Sequence, residues 1–184
     1  MAKTIITHSE RCLGCKTCEL ECAMAHSSVS TLVEALHSEN MPQSRIHVEA
    51  LGGFGMPMQC RHCEDAPCVF VCPTHAIHRF ADDDPVLLDA EKCIGCRVCL
   101  FVCPFGVIEM SRNGKAMVKC DQCLERTEIG QEPACVAGCP TGALEFTDIT
   151  DYLRERRREA ARLMGAPIQI AGSVVETQDG CGKS

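Results

Sequence analysis

Apolar positions along this chain fall in short runs separated by clusters of cysteine, and the elements they predict are small. Three cysteine-proline steps, Cys72-Pro73, Cys103-Pro104 and Cys139-Pro140, are each followed within a few residues by an apolar pair: Ala76-Ile77, Val107-Ile108 and Ala143-Leu144. Each pair predicts a turn entering a short strand. Residues 76–89, centred on Asp82-Asp83-Asp84-Pro85, predict a hairpin, and residues 107–119 repeat the design around Asn113-Gly114, a strong hairpin turn. Between the first two cysteine clusters, residues 29–37 predict a short helix and residues 45–49 alternate like a strand. Gly52, Gly53 and Gly55 then predict a turn rather than a nucleotide-binding loop. This long insert reads as structural filler or as a partner-docking segment.

The one long periodic segment is residues 149–164, a predicted helix capped by Asp148 or Thr150 and stopped by Gly165 and Pro167. Arg154, Arg158 and Arg162 share one stripe. With Glu155 and Glu159 beside them they predict a solvated face, the alternative being a dock for an acidic partner. Residues 168–175 alternate weakly and could add a strand to a neighbouring subunit.

Composition changes the picture. Aromatic residues are 4% of 184 and tryptophan is absent, so large side chains cannot build much of a core. Seventeen cysteines point to metal or disulfides instead. The odd number, and the lack of an apolar leader-like run before Cys12, favour metal ligands in a reducing compartment, the cytoplasm. No run approaches the roughly 20 apolar residues of a membrane span, so direct membrane insertion is not expected. A net charge of −7 argues against nucleic acid and suits a partner surface of positive charge.

The cysteines form a fourfold repeat. Cys12, Cys15, Cys18, Cys22 and Cys93, Cys96, Cys99, Cys103 both have C-x2-C-x2-C-x3-C spacing; Cys60, Cys63, Cys68, Cys72 and Cys120, Cys123, Cys135, Cys139 lengthen only the middle gap. Three sulfurs on a tight loop can hold three corners of a cubane but not the fourth. The closing C-x3-C puts two sulfurs on one helical face, where the first serves one cluster and the second its neighbour. This is the two-cluster bacterial ferredoxin pattern. Groups two and three, joined by a hairpin, pair as Cys60, Cys63, Cys68 with Cys103, and Cys93, Cys96, Cys99 with Cys72. Groups one and four then pair as Cys12, Cys15, Cys18 with Cys139, and Cys120, Cys123, Cys135 with Cys22. Four [4Fe-4S] clusters would take the net charge to about −15.

Four-cysteine zinc sites fit such dense runs poorly. A Rieske-type role for His62 or His75 would leave Cys63 and Cys68 idle. Gly182-Lys183-Ser184 mimics the end of a P-loop without its leading glycine, and Cys181 is left over in a polar tail with no assigned role.

With these groups in place, the sequence resembles the four-cluster ferredoxin-like electron-transfer subunits of molybdenum and tungsten oxidoreductases, hydrogenases and carbon monoxide dehydrogenase. The likeness covers roughly residues 3–147. Cys12-Leu13-Gly14-Cys15-Lys16-Thr17-Cys18-Glu19-Leu20-Glu21-Cys22-Ala23 and Gln59-Cys60-Arg61-His62-Cys63-Glu64-Asp65-Ala66-Pro67-Cys68 look most like the carbon-monoxide-dehydrogenase-associated iron-sulfur protein. The resemblance implies the same crossed ligation and a small α+β fold of two bacterial-ferredoxin-like modules, one inserted into the other, with short hairpins, helices and a C-terminal helix. Residues 1–58 and 112–147 would form the outer module, with an insert at 23–58, residues 59–111 the inner one, and residues 148–184 a C-terminal helix and tail. It further implies a non-catalytic subunit relaying single electrons to or from a tungsten- or molybdenum-pterin or nickel-iron catalytic subunit. A flavin or second electron-transfer subunit is the other expected partner. The chain itself shows no Rossmann fingerprint, flavin motif or acid-base constellation. The rival expectation is a metal-stabilised scaffold or regulatory protein without redox turnover.

Overall fold

A computed structural model describes residues 3–38 and 41–165. Pro167, the segment 168–175 and Cys181 therefore lie outside the described residues. Within them the strands are β1 (Lys3–Thr7), β2 (Ile46–Leu51), β3 (Phe54–Gln59), β4 (Ile77–His78), β5 (Leu87–Leu88), β6 (Glu109–Met110), β7 (Met117–Val118) and β8 (Leu144–Asp148). The helices are α1 (Thr17–Ala25), α2 (Leu32–His37), α3 (Pro67–Phe70), α4 (Val98–Val102), α5 (Leu124–Thr127), α6 (Ala134–Ala137) and α7 (Ile149–Gly165). A short 3-10 turn, Ser9–Arg11, leads into the first cysteine group.

The four sheets among the described residues are two-stranded and antiparallel. β1 pairs with β8, from Lys3↔Asp148 to Thr7↔Leu144. The other three sheets are local hairpins. β4 and β5 match Ile77 with Leu88 across the acidic turn, whose loop is tied by the Ala81 N–H donating to the Asp84 carboxylate at 3.1 Å. β6 and β7 turn at Asn113-Gly114, where Asn113 Oδ1 accepts from Lys115 N–H at 3.0 Å and Gly114 is left-handed at φ +70. Both hairpins sit where the apolar pairs and turn residues predict them.

The insert carries helix α2 and the β2–β3 hairpin. The predicted strand at 45–49 runs on to Leu51, turns at left-handed Gly52 and Gly53, and pairs with β3. Pro57 hides β3 from the sequence, since it lacks an N–H and interrupts the pattern; a two-stranded sheet consists only of edges, so the missing donor is tolerated. The helix predicted over 29–37 starts later, at Leu32, because Thr31 and Glu34 form a reciprocal capping box.

Two apolar clusters sit among these small elements. Ile5, Ile46, Val48, Val136 and Leu144 pack with Cys18, Cys22, Cys120 and Cys135. Ala66, Ile77, Val86, Ile108 and Met117 pack with Cys68 and Cys99. Residues 1–149 make one compact unit and residues 150–184 a second. Within the second, α7 carries exposed i,i+3 ion pairs, Asp151 with Arg154 at 2.9 Å and Arg156 with Glu159 at 2.8 Å. Exposed pairs of this kind contribute about 0.5 kcal/mol or less each.

Candidate metal centres

The four cysteine groups share a backbone device. The residue just before the second cysteine is left-handed in every group: Gly14 at φ +68, His62 at +48, Gly95 at +65 and Gln122 at +60. This conformation curls the chain tightly between the two sulfurs. In the three groups that close with Cys-Pro, the third residue after the closing cysteine is left-handed too: His75 at φ +51, Gly106 at +63 and Gly142 at +62. His62 and His75, conspicuous in the sequence for their nearness to cysteines, thus hold turn positions that glycine takes in sister groups. Both ring nitrogens of His62 are buried, and burial, followed by the charge of Lys119, pushes its pKa down to about 3 against a weak opposing contact with the Val86 backbone.

Each closing C-x3-C lies on or at the end of a short helix, and these helices pack in pairs, α1 on α6 and α3 on α4. The pairing brings distant thiols together. Cys60, Cys63, Cys68 and Cys103 line one small cavity with Val86 and Ile108. Cys72, Cys93, Cys96 and Cys99 line another with Ile77 and Met117. In the other half of the unit, Cys139 lies near enough to Cys15 and Cys18 for its charge to act on both, and Cys12 acts likewise on Cys18. Cys120, Cys22, Cys123 and, after them, Cys18 act in the same way on Cys135.

The thiols divide by environment. Burial pushes Cys18 and Cys120 up to about 12 and Cys99 to about 11, and it raises Cys68 and Cys135 as well. Cys15 is lowered by the Thr17 hydroxyl and N–H. Cys72 and Cys139 are lowered despite burial, by the Ile77 and Leu144 N–H groups respectively, with help from Thr74 and Thr141. Backbone N–H groups aim at sulfur throughout: Arg45 at Cys22 (3.2 Å), Ala143 at Cys139 (3.2 Å), Met117 at Cys93 (3.4 Å), Gln122 at Cys120 (3.4 Å) and Ile77 at Cys72 (3.5 Å). A thiol needs no such set of donors, whereas a metal-bound thiolate with surplus negative charge does. Buried sets of soft sulfur donors ringed by N–H groups fit iron-sulfur clusters.

One polar network beside these thiols was not visible in the sequence. His26 stands one helical turn after Cys22; its Nδ1–H donates to the Cys22 carbonyl at 2.8 Å and its Nε2–H to Asp121 Oδ1 at 3.1 Å. Asp121 also accepts from the Arg45 guanidinium and, at 2.9 Å, from the Cys123 N–H. Burial opposes the charge on His26, but the Asp121 hydrogen bond prevails and raises its pKa to about 12; Asp121 is correspondingly held well below the usual carboxylate range. The donor atoms of His26, Asp121 and Cys123 lie within 4.8 Å of one another, a spacing that could hold a metal ion. The mutual hydrogen bonds and the Arg45 contact account for the same closeness as a charged brace around Cys22 and Cys123. Its only sequence signal is the i+4 step from Cys22 to His26. Asp121→Ala is expected to lower stability by about 2 kcal/mol, because His26 and Arg45 lose a shared, half-buried acceptor. An anaerobic denaturant titration reads that loss, and an unchanged midpoint would show the brace to be idle.

Gly55 supplies a second, steric dependence. A Cβ there would lie 2.8 Å from Cys12 Sγ and 2.9 Å from Gly14 Cα. The second of these atoms is backbone and must move, so Gly55→Ala is expected to cost about 1–3 kcal/mol. Its spectroscopic effect should fall on the centre that includes Cys12, and equal disturbance of all centres would contradict the contact.

Residues 53–149 match the family model described as a 4Fe-4S dicluster domain. An iron-sulfur protein of Rhodospirillum rubrum is 42% identical over 175 residues, covering 86% of this chain and 90% of the relative. The B subunit of the anaerobic dimethyl sulfoxide reductase of Escherichia coli (strain K12) is 35% identical over 164 residues, covering 86% of this chain and 79% of that subunit. Among solved structures, the BamBC active-site complex of benzoyl coenzyme A reductase with benzoyl-CoA aligns with a TM-score of 0.42 at 22% identity, covering 88% of this chain and 90% of the other.

Proposed function

This chain belongs to the 4Fe-4S dicluster family as an iron-sulfur electron-transfer subunit of the oxidoreductase type, and from that premise we propose that it holds four [4Fe-4S] clusters and links a catalytic subunit to a second redox partner. What supports the reading is that Cys60, Cys63, Cys68 and Cys103 line one cavity and Cys72, Cys93, Cys96 and Cys99 another, each joining three cysteines of one group to one of another, with Cys139 near Cys15 and Cys18, and Cys22 near Cys120 and Cys135, in the other half. The ligand sets are Cys12, Cys15, Cys18, Cys139; Cys22, Cys120, Cys123, Cys135; Cys60, Cys63, Cys68, Cys103; and Cys72, Cys93, Cys96, Cys99. A [4Fe-4S] cluster bound by four thiolates supplies reversible one-electron reduction and offers no open position for a substrate.

The chain's own residues do the rest. Buried Cys18, Cys22, Cys120, Cys123 and Cys135 keep water from the inner sulfurs, and the N–H groups of Arg45, Gln122, Ala143, Met117 and Ile77 offset sulfur charge. Cys15 and Cys96 are the exposed members of their sets, each flanked by an exposed apolar residue, Leu13 or Ile94. These two surfaces are where redox partners gain close approach.

The arrangement supports an outer module of residues 1–58 and 112–147 around an inner one of 59–111, since the two apolar clusters draw on those segments almost separately. No helix among the described residues is long and apolar enough to cross a membrane. A reducing compartment such as the cytoplasm suits sixteen free thiols. The catalytic partner belongs to the oxidoreductases, with the reductase type of the Escherichia coli relative as the leading choice. Anaerobic purification is expected to give about sixteen irons per chain, bleaching by dithionite, and co-purification with a larger cofactor-bearing subunit. About four redox-silent metals per chain would instead establish a zinc scaffold.

A further inference from the structure

A buried lysine stands where the two apolar clusters meet. Lys119 is only 3% exposed, and its ammonium donates to the carbonyls of Val86 and, at 2.7 Å, of Cys120. Val86 belongs to one apolar cluster and Cys120 to the other. Among the described residues no carboxylate forms an ion pair with this lysine. A buried ammonium held by two neutral carbonyls remains short of compensating charge.

Two thiol sets flank this lysine. On one side is Cys120 with Cys22, Cys123 and Cys135; on the other, Val86 lines the cavity of Cys60, Cys63, Cys68 and Cys103. Burial raises both the Cys68 and the Cys120 thiol, and the Lys119 charge counters it at each.

We propose that the Lys119 ammonium is the shared counter-charge of the two thiolate sets on either side of it and raises the reduction potentials of both clusters they hold. The inference rests on the four-cluster reading and concerns how this chain tunes it. A fixed cation in a poorly screened interior favours whichever redox state carries more negative charge, and added charge on either side is felt by the same group. Lys119 is therefore a positioning and tuning residue for electron transfer between the two halves of the unit. Nothing in the linear pattern singles it out, because a lysine next to a cysteine looks like any surface residue.

The charge can be separated from the hydrogen bonds. Lys119→Gln keeps a donor for the carbonyls and removes the charge, whereas Lys119→Arg keeps the charge. In the iron-loaded protein, potentiometric titration followed by EPR should show two of four midpoints lowered in Lys119→Gln. Their one-electron reduction constants should fall about tenfold or more, which corresponds to about 59 mV. The affected signals should be those lost in Cys123→Ser and in Cys63→Ser, and Lys119→Arg should titrate like the unmodified chain. Unchanged midpoints, a shift of only one, or an equal shift of all four would overturn the proposal. If Lys119→Gln fails to load iron while Lys119→Arg loads, the need for the charge is upheld; if neither loads, packing rather than charge is the role and the proposal fails. Normal iron with unmoved potentials sinks this inference alone. An unmodified chain without about sixteen irons sinks the four-cluster reading beneath it.

Discussion

Cys22→Ala is expected to remove about a quarter of the bound iron, and the centre lost is the one built by Cys120, Cys123 and Cys135, not the one built by its sequence neighbours. Cys18 and Cys22 lie one turn apart on α1, and although both act on Cys135 their other thiol neighbours differ. Cys18 sits with Cys12 and Cys139, while Cys22 acts on Cys120 and Cys135. The Arg45 N–H fixes Cys22 Sγ from the insert, and His26 braces the same turn of helix against Asp121. Alanine would leave three cysteines without a fourth, two of them, Cys120 and Cys135, with thiols that burial already drives toward the protonated form. In anaerobic EPR, Cys22→Ala and Cys123→Ala should abolish one and the same signal, and Cys12→Ala and Cys139→Ala another. If Cys22→Ala groups with Cys12→Ala, the ligation is uncrossed and α1 and α6 do not exchange ligands.

Removal of iron is expected to unfold the unit of residues 1–149 outright. Its secondary structure cannot stand alone: β4 to β7 are two residues each, and α3, α5 and α6 are four. Isolated hairpins and helices of this length are marginal in water. Four of the nine buried residues in the first apolar cluster are cysteines, so the metal centres are themselves much of the core. Anaerobic chelation should abolish cooperative thermal unfolding and open the hairpin loops to protease; an apo chain that still melts cooperatively near the native midpoint would refute this. Reloading must strip protons from the cysteine thiols of the unfolded chain, whose ordinary pKa of about 8.5 leaves most of them protonated at neutral pH. Metal uptake therefore releases protons, strengthens as pH rises and weakens as it falls.

The local elements are largely legible because each depends on chemistry within a few residues. Asn113-Gly114 dictates its hairpin through backbone conformation, the acidic run at 82–84 sits at the turn between β4 and β5, and the C-x3-C steps fall on or at the ends of short helices as helical periodicity requires. Strand β3 escapes because Pro57 breaks the pattern that alternation depends on, and α2 begins three residues later than its apolar pattern suggests because the Thr31 and Glu34 capping box sets its start.

Cysteine spacing by itself determined the kind of chemistry, since sulfur donors on tight loops admit few metals and the fourfold repeat is written in the chain. Tertiary structure alone decided which charges and donors surround the sulfurs. Arg45, 23 residues from Cys22, and Asp121, 95 residues from His26, meet only after folding. Lys119 becomes a buried cation only because Val86, 33 residues away, closes over it. Hydrogen bonds and charges act through space at a few ångströms, and a linear pattern carries no record of approaches made across the fold.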